Sequence, residues 1–484
     1  MKGGSRYVGV DGASRRWFQN QLMYLPRVGA AYRLGNNTVI RGGYGIFFDT
    51  LNVMNFGPDQ FGFSRTTNSV ATTDFGVNWN FPANANPNNG RSPLNDPFPV
   101  RADGSRFDVP TRDGLGTSAR SGRGFGFTDF NQPHARQQRW RIGMQQKVGP
   151  GMVLDVAYAG AYSDRISIGQ RQDFLPEQNW ASGNVRNDAI ANTLNANVPN
   201  PFFIGNFDRS QFSPQLWADM NTQGFFTGNI IRRNQLLRQF PQANSLTNNT
   251  TPQSYTKSHE LQINLEKRFA KGMNFNFGYT GMTLREADFY LNEWDRTPTE
   301  RASNDGRPHR IVGTMIYELP VGKGKWLMGN AGRAMNTLVG GWQIAATYEF
   351  QPGPLLNWGN AFYYGSDVNN VAKVDNRTFD RWFNTADFER VQARGPNAFH
   401  RRVFPTRIDG LRRDMTNQWN ANVSKSIKMT EKWAMQLRLD ALNVANRSQM
   451  DSPNTDPFST NFGRVTAQTS ATNRWIQVQA RITF

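Results

Sequence analysis

The chain ends in "RWIQVQARITF", residues 474–484. Ile476, Val478, Ala480, Ile482 and Phe484 fall on one side of an extended strand, and Gln477, Gln479, Arg481 and Thr483 on the other. A period of two places alternate side chains on opposite faces of a strand. The same period recurs upstream. "GWQIAATYEF" sets Trp342, Ile344, Ala346, Tyr348 and Phe350 against Gln343, Thr347 and Glu349. "KWAMQLRLDAL" sets Trp433, Met435, Leu437 and Leu439 against Gln436, Arg438 and Asp440. "ELQINLEKRF" and "MNFNFGYT" repeat the pattern at 260–269 and 273–280.

Eleven such strands are predicted: 27–34, 38–48, 137–148, 152–162, 255–269, 273–283, 308–318, 341–350, 416–427, 432–443 and 473–484. Their connections alternate in length. "GNN", "GPG", "AKG" and "KMTE" are tight turns. Between them lie 49–136, 163–254, 284–307, 351–415 and 444–472, rich in Asn, Gly, Pro and Arg. The connection 319–340 breaks the pattern, because parity makes it a turn and it is long. A compact soluble domain does not carry so many long irregular loops. A transmembrane antiparallel β-barrel does, with short periplasmic turns on one rim, long extracellular loops on the other, and strands of about ten residues. Trp342 and Trp433 follow turns and Trp140 and Trp475 follow long loops, positions that suit two aromatic girdles. The expected fold class is therefore all-β, a transmembrane antiparallel barrel in an outer membrane. Extra strands inside 49–136 or 163–254, where "FGVNWNF" (75–81) alternates, would come as hairpins and leave the count odd.

Bulk composition agrees with this and excludes much else. Among 484 residues 38% are hydrophobic, and mean hydropathy is −0.64. No apolar run reaches the length of a membrane-spanning helix. "MKGGSRYVGV" has a basic start and no apolar core after it, so it is not a secretory signal. With no cysteine there are no disulfides, thiolate metal sites or cysteine nucleophiles. The 55 Lys and Arg against 37 Asp and Glu give a formal charge of +18, dispersed along the chain. Nucleic acid, anionic lipid and acidic ligands are all compatible with such an excess.

Residues 123–130, "RGFGFTDF", approach the RNA-recognition signature of a basic residue, glycine and spaced aromatics. That fold needs a partner strand upstream and helices between its strands. Upstream stands "NNGRSPLNDPFPV", with neither, so no nucleic-acid partner is expected. His134, His259, His309 and His400 lie far apart, and no metal site or catalytic constellation is expected. "GKGKW" (322–326) has no Ser or Thr after its lysine and is read as a turn rather than a phosphate cradle. No cofactor and no enzyme activity are expected. The stretch 390–413 carries Arg390, Arg394, Arg401, Arg402, Arg407, Arg412 and Arg413 with Asp409 as its one acid between Arg390 and Arg413. Clustered guanidiniums bind phosphate and carboxylate well. These seven are the candidate ligand-binding residues, with contact to lipopolysaccharide as the alternative.

Several stretches together resemble one family. They are "PRVGAAYRLGNNTVIRGGYGIFFD" (26–49), "QQRWRIGMQQKVGPGMVLDVAYAGAYSDRI" (137–166), "NQLLRQFPQ" (234–242), "SHELQINLEKRFAKGMNFNFGYT" (258–280), "RPHRIVGTMIYELPVGKGKW" (307–326), "LVGGWQIAATYEFQPGPLL" (338–356), "RWFNTADF" (381–388) and the segment from "LRLDALNVANRSQ" to the end. In this order they resemble the Oar-like TonB-dependent outer-membrane receptors, the subgroup with a carboxypeptidase-regulatory-like domain. The "ELPVGKGKW" connection recurs in that family. The resemblance implies a plugged barrel of about 22 strands, energised through the TonB complex, importing an extracellular ligand. Nothing here resembles the plug, the regulatory-like domain or a signal peptide. Residues 1–484 are therefore expected to be the C-terminal part of the barrel, about half its strands. By the same resemblance Val478, Ala480, Ile482 and Phe484 form the C-terminal signal read by the barrel-assembly machinery. Outer-membrane lipid and lipopolysaccharide complete the expected partners. A self-contained porin or adhesin, and more remotely a soluble RNA-binding β-protein, are the alternative readings.

Overall fold

The computed structural model describes residues 4, 6–16, 18–49, 60–68, 72, 74–77, 98, 101, 103–430, 432–469 and 473–484. Eleven strands pair in chain order: β1 (Arg27–Leu34), β2 (Thr38–Phe48), β3 (Arg136–Gly149), β4 (Met152–Arg171), β5 (Ser245–Ala270), β6 (Met273–Ala287), β7 (His309–Glu318), β8 (Trp342–Gln351), β9 (Thr416–Lys428), β10 (Ala434–Leu442) and β11 (Trp475–Thr483). Every pair on this path is antiparallel. Among the described residues β1 pairs only with β2 and β11 only with β10, so the sheet is not closed.

Turn chemistry sets the register at the tight end. Lys271 and Gly272 both have positive φ, 54° and 77°, and join Ala270 directly to Met273. Positive φ at both central residues is the twist-matched geometry of a two-residue hairpin, which glycine adopts without strain. Across the last five strands the register then aligns whole rows. Tyr317, Ile344, Val423, Leu439 and Val478 lie in line, and the neighbouring row is Glu318, Gln343, Ser424, Arg438 and Gln479. A strand shifted by one residue would put its apolar set among the polar one.

The apolar face is bare. Ile142 is 58% exposed and Val478 74%. Of the buried hydrophobic residues, only Ala157 and Ala287 belong to the eleven strands; the rest lie in the loops, the turn regions or the N-terminal segment. A water-soluble sheet would bury such a face against a second layer; hydrocarbon makes that layer unnecessary. Rings mark both rims of the face. Near the loop end Tyr158 Oη meets His259 Nδ1 at 2.6 Å, Tyr279 Oη meets His309 Nδ1 at 2.9 Å, and Tyr348 stacks on Trp419 at 4.1 Å. At the turn end Trp433 stacks on Phe484 at 5.1 Å.

All eleven expected strands are present, three of them extended at the loop end, β6 running on to Ala287 against Tyr255. β4 continues to Arg171 and β5 begins at Ser245, because these extensions pair with one another, Gln170 opposite Asn248 and Arg171 opposite Thr247. Four short β-segments off the path were not foreseen. Gly124–Phe127 runs parallel to the start of β5, Arg301–Ala302 pairs with β6, and Asn197–Pro199 forms a small hairpin with Ile230–Arg232. That hairpin lies inside the long loop between β4 and β5 and leaves the main path at eleven. Residues 78–81 of "FGVNWNF" lie outside the described residues, and 75–77 form a turn and bend.

The row arrangement gives a direct test in the protein folded into bilayers. Leu439→Arg places a guanidinium on the apolar face and should lower unfolding free energy by about 2–4 kcal/mol, while Arg438→Leu on the opposite face should be milder. Equal tolerance in urea titrations would contradict the face assignment.

Candidate functional site in the long-loop layer

The long connections converge at one end of the sheet and build the molecule's main core there. Leu356, Trp358, Phe383, Phe388, Phe404, Leu411 and Phe462 pack together, drawn from the connections after β8 and β10. Trp358 stacks on Phe388 at 5.6 Å and meets Phe383 edge-on at 5.0 Å; Phe383 in turn meets Phe462 at 5.2 Å. Such burial is what lets irregular backbone hold one shape. Removing the Phe383 ring should cost about 3–5 kcal/mol locally. Phe383→Ala is expected to raise hydrogen exchange across 352–415 while leaving the β9–β10 ladder protected; uniform loss across both would mean the loops and sheet are one unit.

Ion pairs tie the loops to the strand tops. Glu300 accepts from Lys257 at 2.6 Å, from Arg285 at 2.7 Å and from Tyr255 Oη at 2.7 Å. The Lys257 ammonium foremost, with the Tyr255 and Arg285 donors, pulls its carboxyl down to about 2. Arg285 also reaches Asp409 at 3.0 Å, and Glu286 lies between Arg301 and Arg407. A second set joins Arg171 to Asp173 and Glu293, with Arg238 donating to Glu293 and to the Asp173 carbonyl. Because the Glu300 carboxyl is depressed from 4.5, its contribution is complete above the ordinary value and is lost as pH falls through about 2. Proteolysis within 288–308 should therefore rise on acidification from pH 4.5 towards 2. Glu300→Gln should remove that dependence, and an unchanged acid profile in the variant would refute the linkage.

The structure shows where each candidate arginine goes. Arg390 donates to the Pro457 and Ser459 carbonyls and lies over the Phe462 ring at 4.8 Å. Arg401 pairs with Glu177 at 2.7 Å. Half-buried Arg402 donates to the Trp358 and Phe404 carbonyls, and Arg412 to those of Gly306 and Gly353. Arg407 bonds Glu286, Asn357 and the Ala302 carbonyl, and Arg413 reaches Asp451 at 3.5 Å. Five of the seven thus tie this loop to other segments, and Arg402 fastens it to itself. Arg394 is exposed, with its charge beside Glu389 and Tyr364.

A cavity of about 970 Å³ opens elsewhere in this layer, between residues 4–16 and the segment 117–130. Arg6, Arg16 and Arg120 line it together with Phe61, Phe125, Phe127, Phe130 and Phe240, and no carboxylate does so among the described residues. Arg120 lies over Phe61 at 4.5 Å. Tyr7 lines the same space, 6% exposed, and its hydroxyl has no hydrogen-bond partner among the described residues. Burial pushes that phenol up, so it is a donor at neutral pH. "RGFGFTDF" finds its place here. A Cβ at Gly124 would run into Ser245 Oγ and one at Gly126 into the Asn249 side chain. The glycines let the strand lie against β5, and Phe125 and Phe127 contribute to the cavity wall. Sequence reasoning missed this site; its one signal was that stretch.

His400 is buried against Phe362, with Nδ1 beside the Arg401 carbonyl at 3.1 Å. No group of three or more metal-ligating side chains gathers among the described residues.

Comparison with protein-family profiles matched residues 2–477 to one described as the outer membrane beta barrel domain. The chain belongs to this outer-membrane β-barrel family. The barrel's bare apolar face and ring-marked rims are thereby those of an outer-membrane protein. No curated protein sequence matched. Among solved structures, the outer membrane transporter YddB from Escherichia coli aligns at 10% identity and TM-score 0.36, over 93% of this chain and 39% of its own. The ferric-catecholate import receptor Fiu from E. coli K12 aligns at 10% and 0.34, over 94% and 34%. The siderophore receptor PiuA from Acinetobacter baumannii aligns at 8% and 0.34, over 94% and 35%. The barrel chain spans between a third and two fifths of the length of these structures.

Proposed function

We propose that residues 1–484 are the C-terminal barrel portion of a TonB-dependent receptor of the Oar-like group, whose long loops form part of an extracellular ligand site. The observation that carries this reading is the loop layer. Its connections hold a packed aromatic core and a cavity lined by arginines and phenylalanines, whereas loops serving only solubility need neither. The open sheet edges support a role as part of a larger barrel rather than a self-contained porin. The family resemblance of the sequence supplies energisation through TonB by the plug of the whole receptor.

In this reading the ligand is a small anion with an apolar or aromatic body. Arg6 and Arg16 supply charge, the phenylalanines supply a stacking surface, and Tyr7 donates a hydrogen bond. Guanidinium pairing with carboxylate or phosphate is strong where water is excluded. Arg394 adds an exposed charge elsewhere on the loop layer, and Arg390, Arg401, Arg402, Arg407, Arg412 and Arg413 order the loops around the Trp358 cluster rather than line the cavity. Lipid and lipopolysaccharide surround the apolar face. The barrel-assembly machinery reads Val478, Ala480, Ile482 and Phe484, which all lie exposed on one face of the C-terminal strand.

The test uses outer-membrane vesicles carrying the whole receptor, incubated with conditioned growth medium whose small molecules are then quantified by mass spectrometry. Selective depletion of an anionic compound is expected. Arg6→Ala with Arg16→Ala should abolish it, and Tyr7→Phe should weaken binding by roughly tenfold, the worth of one hydrogen bond to an anion. Whole cells should stop importing that compound when a protonophore collapses the proton gradient. Depletion that survives the double arginine variant would overturn the assigned site, and import indifferent to the protonophore would overturn the energised mechanism.

A further inference from the structure

The connection between β7 and β8, residues 319–341, is the long one at the otherwise tight end of the sheet. It has a fixed shape. Leu327 N donates to the Pro320 carbonyl and Gly322 N to the Leu327 carbonyl, closing a compact loop. A short helix, Arg333–Val339, follows, and Asn336 Oδ1 within it accepts from Lys323 N at 2.7 Å. Yet Trp326 is 85% exposed and Leu338 69%, with Leu327, Met328 and Met335 each more than two fifths exposed. An ordered loop that turns this many large apolar side chains outward calls for a covering.

Lys425 shows on which side of the sheet it lies. Lys425 stands in β9 two residues from Val423 and pairs with Trp342 and Leu437, so it belongs to the apolar face. It is 7% exposed, and its ammonium donates to the Leu338 and Gly340 carbonyls, both at 2.8 Å, while lying over the Trp342 ring at 4.8 Å. A cation on a lipid-facing strand is costly unless it is satisfied at the rim. The carbonyls at the C-terminal end of the helix satisfy it and carry the partial negative charge that favours a cation. The lysine thus holds the connection against the apolar side of the sheet, not beneath its polar side. Trp342 donates its indole N–H to the Leu338 carbonyl at 3.1 Å and fixes the same contact. The connection, with its exposed apolar side chains, is thereby tied to the apolar side at the strand ends, and Lys323 and Arg333 are exposed within it.

We infer that residues 319–341 form an interfacial anchor, seated on the phospholipid leaflet at the turn rim through Trp326, Leu327, Met328, Met335 and Leu338. Tryptophan with flanking cations is the chemistry of a headgroup boundary. The anchor rests on the outer-membrane barrel assignment and on no property of the ligand site.

The chain's lack of cysteine makes the test direct. Single cysteines replace Trp326, Met335 or, as a mid-strand reference, Val478 in the whole receptor in liposomes, each labelled with a nitrobenzoxadiazole fluorophore. Phosphatidylcholine carrying a nitroxide at a shallow or a deep acyl position then quenches by depth. Labels at 326 and 335 should be quenched more by the shallow nitroxide, and the label at 478 more by the deep one. Adding Lys425→Gln should abolish quenching at 335 and leave 478 unchanged. Labels at 326 and 335 quenched by aqueous iodide and by neither lipid would overturn the anchor, and shielding from all three would overturn it in favour of a protein covering. Failure of lipid quenching at 478 as well would instead indict the barrel assignment.

Discussion

A β-strand in hydrocarbon has to find hydrogen-bond partners for its backbone in neighbouring strands, since no water reaches it. An unpaired group there costs several kcal/mol, so spanning sheets close into barrels. Among the described residues every strand from β2 to β10 is paired on both sides, while β1 and β11 are each paired on one. With eleven strands of alternating direction, the first and last run the same way and cannot seal the sheet antiparallel to one another. The register within the sheet, the bare apolar face and the alternating connections all follow from satisfying backbone groups in lipid.

Lipid on one side also explains where the packing is. Where hydrocarbon covers the strands, side chains on that face need no partner layer, and the hydrophobic core moves to the part of the molecule in water. There the Trp358 cluster and the Glu300 and Glu293 ion-pair sets order loops that would otherwise lose too much conformational entropy to hold a site. The tight rim shows the same logic at smaller scale: Lys425 on the apolar face is matched by helix carbonyls, and the connection that supplies them is held against that face.

The strands were legible in the sequence because two signals agreed. Apolar alternation in "RWIQVQARITF" or "GWQIAATYEF" gave the period, and turn residues such as Lys271 and Gly272 gave the ends. The extensions of β4 and β5 were not legible. "SDRISIGQR" and "SLTNNTTPQS" lack a sustained apolar face outside the bilayer, and pairing with each other, and of the latter with Gly124–Phe127, makes them strands. The arginine cluster was visible in composition, but its partners were not, since Glu177, Glu286 and Asp451 come from other loops and strand ends. The cavity was hidden for the same reason. Tyr7, Arg120 and Phe240 are distant in sequence, and "RGFGFTDF" signalled a close backbone approach without saying to what.

The proposed reading requires that β1 and β11, each paired on one side among the described residues, do not pair with one another. The absence of cysteine allows spin labels to be placed at Tyr32→Cys in β1 and Val478→Cys in β11 of the membrane-inserted protein, with their separation read by pulsed electron resonance. The account predicts a distance of many strand spacings, as for opposite sides of a large barrel. A separation near a single spacing of about 5 Å, which would place the two edges side by side, would contradict it.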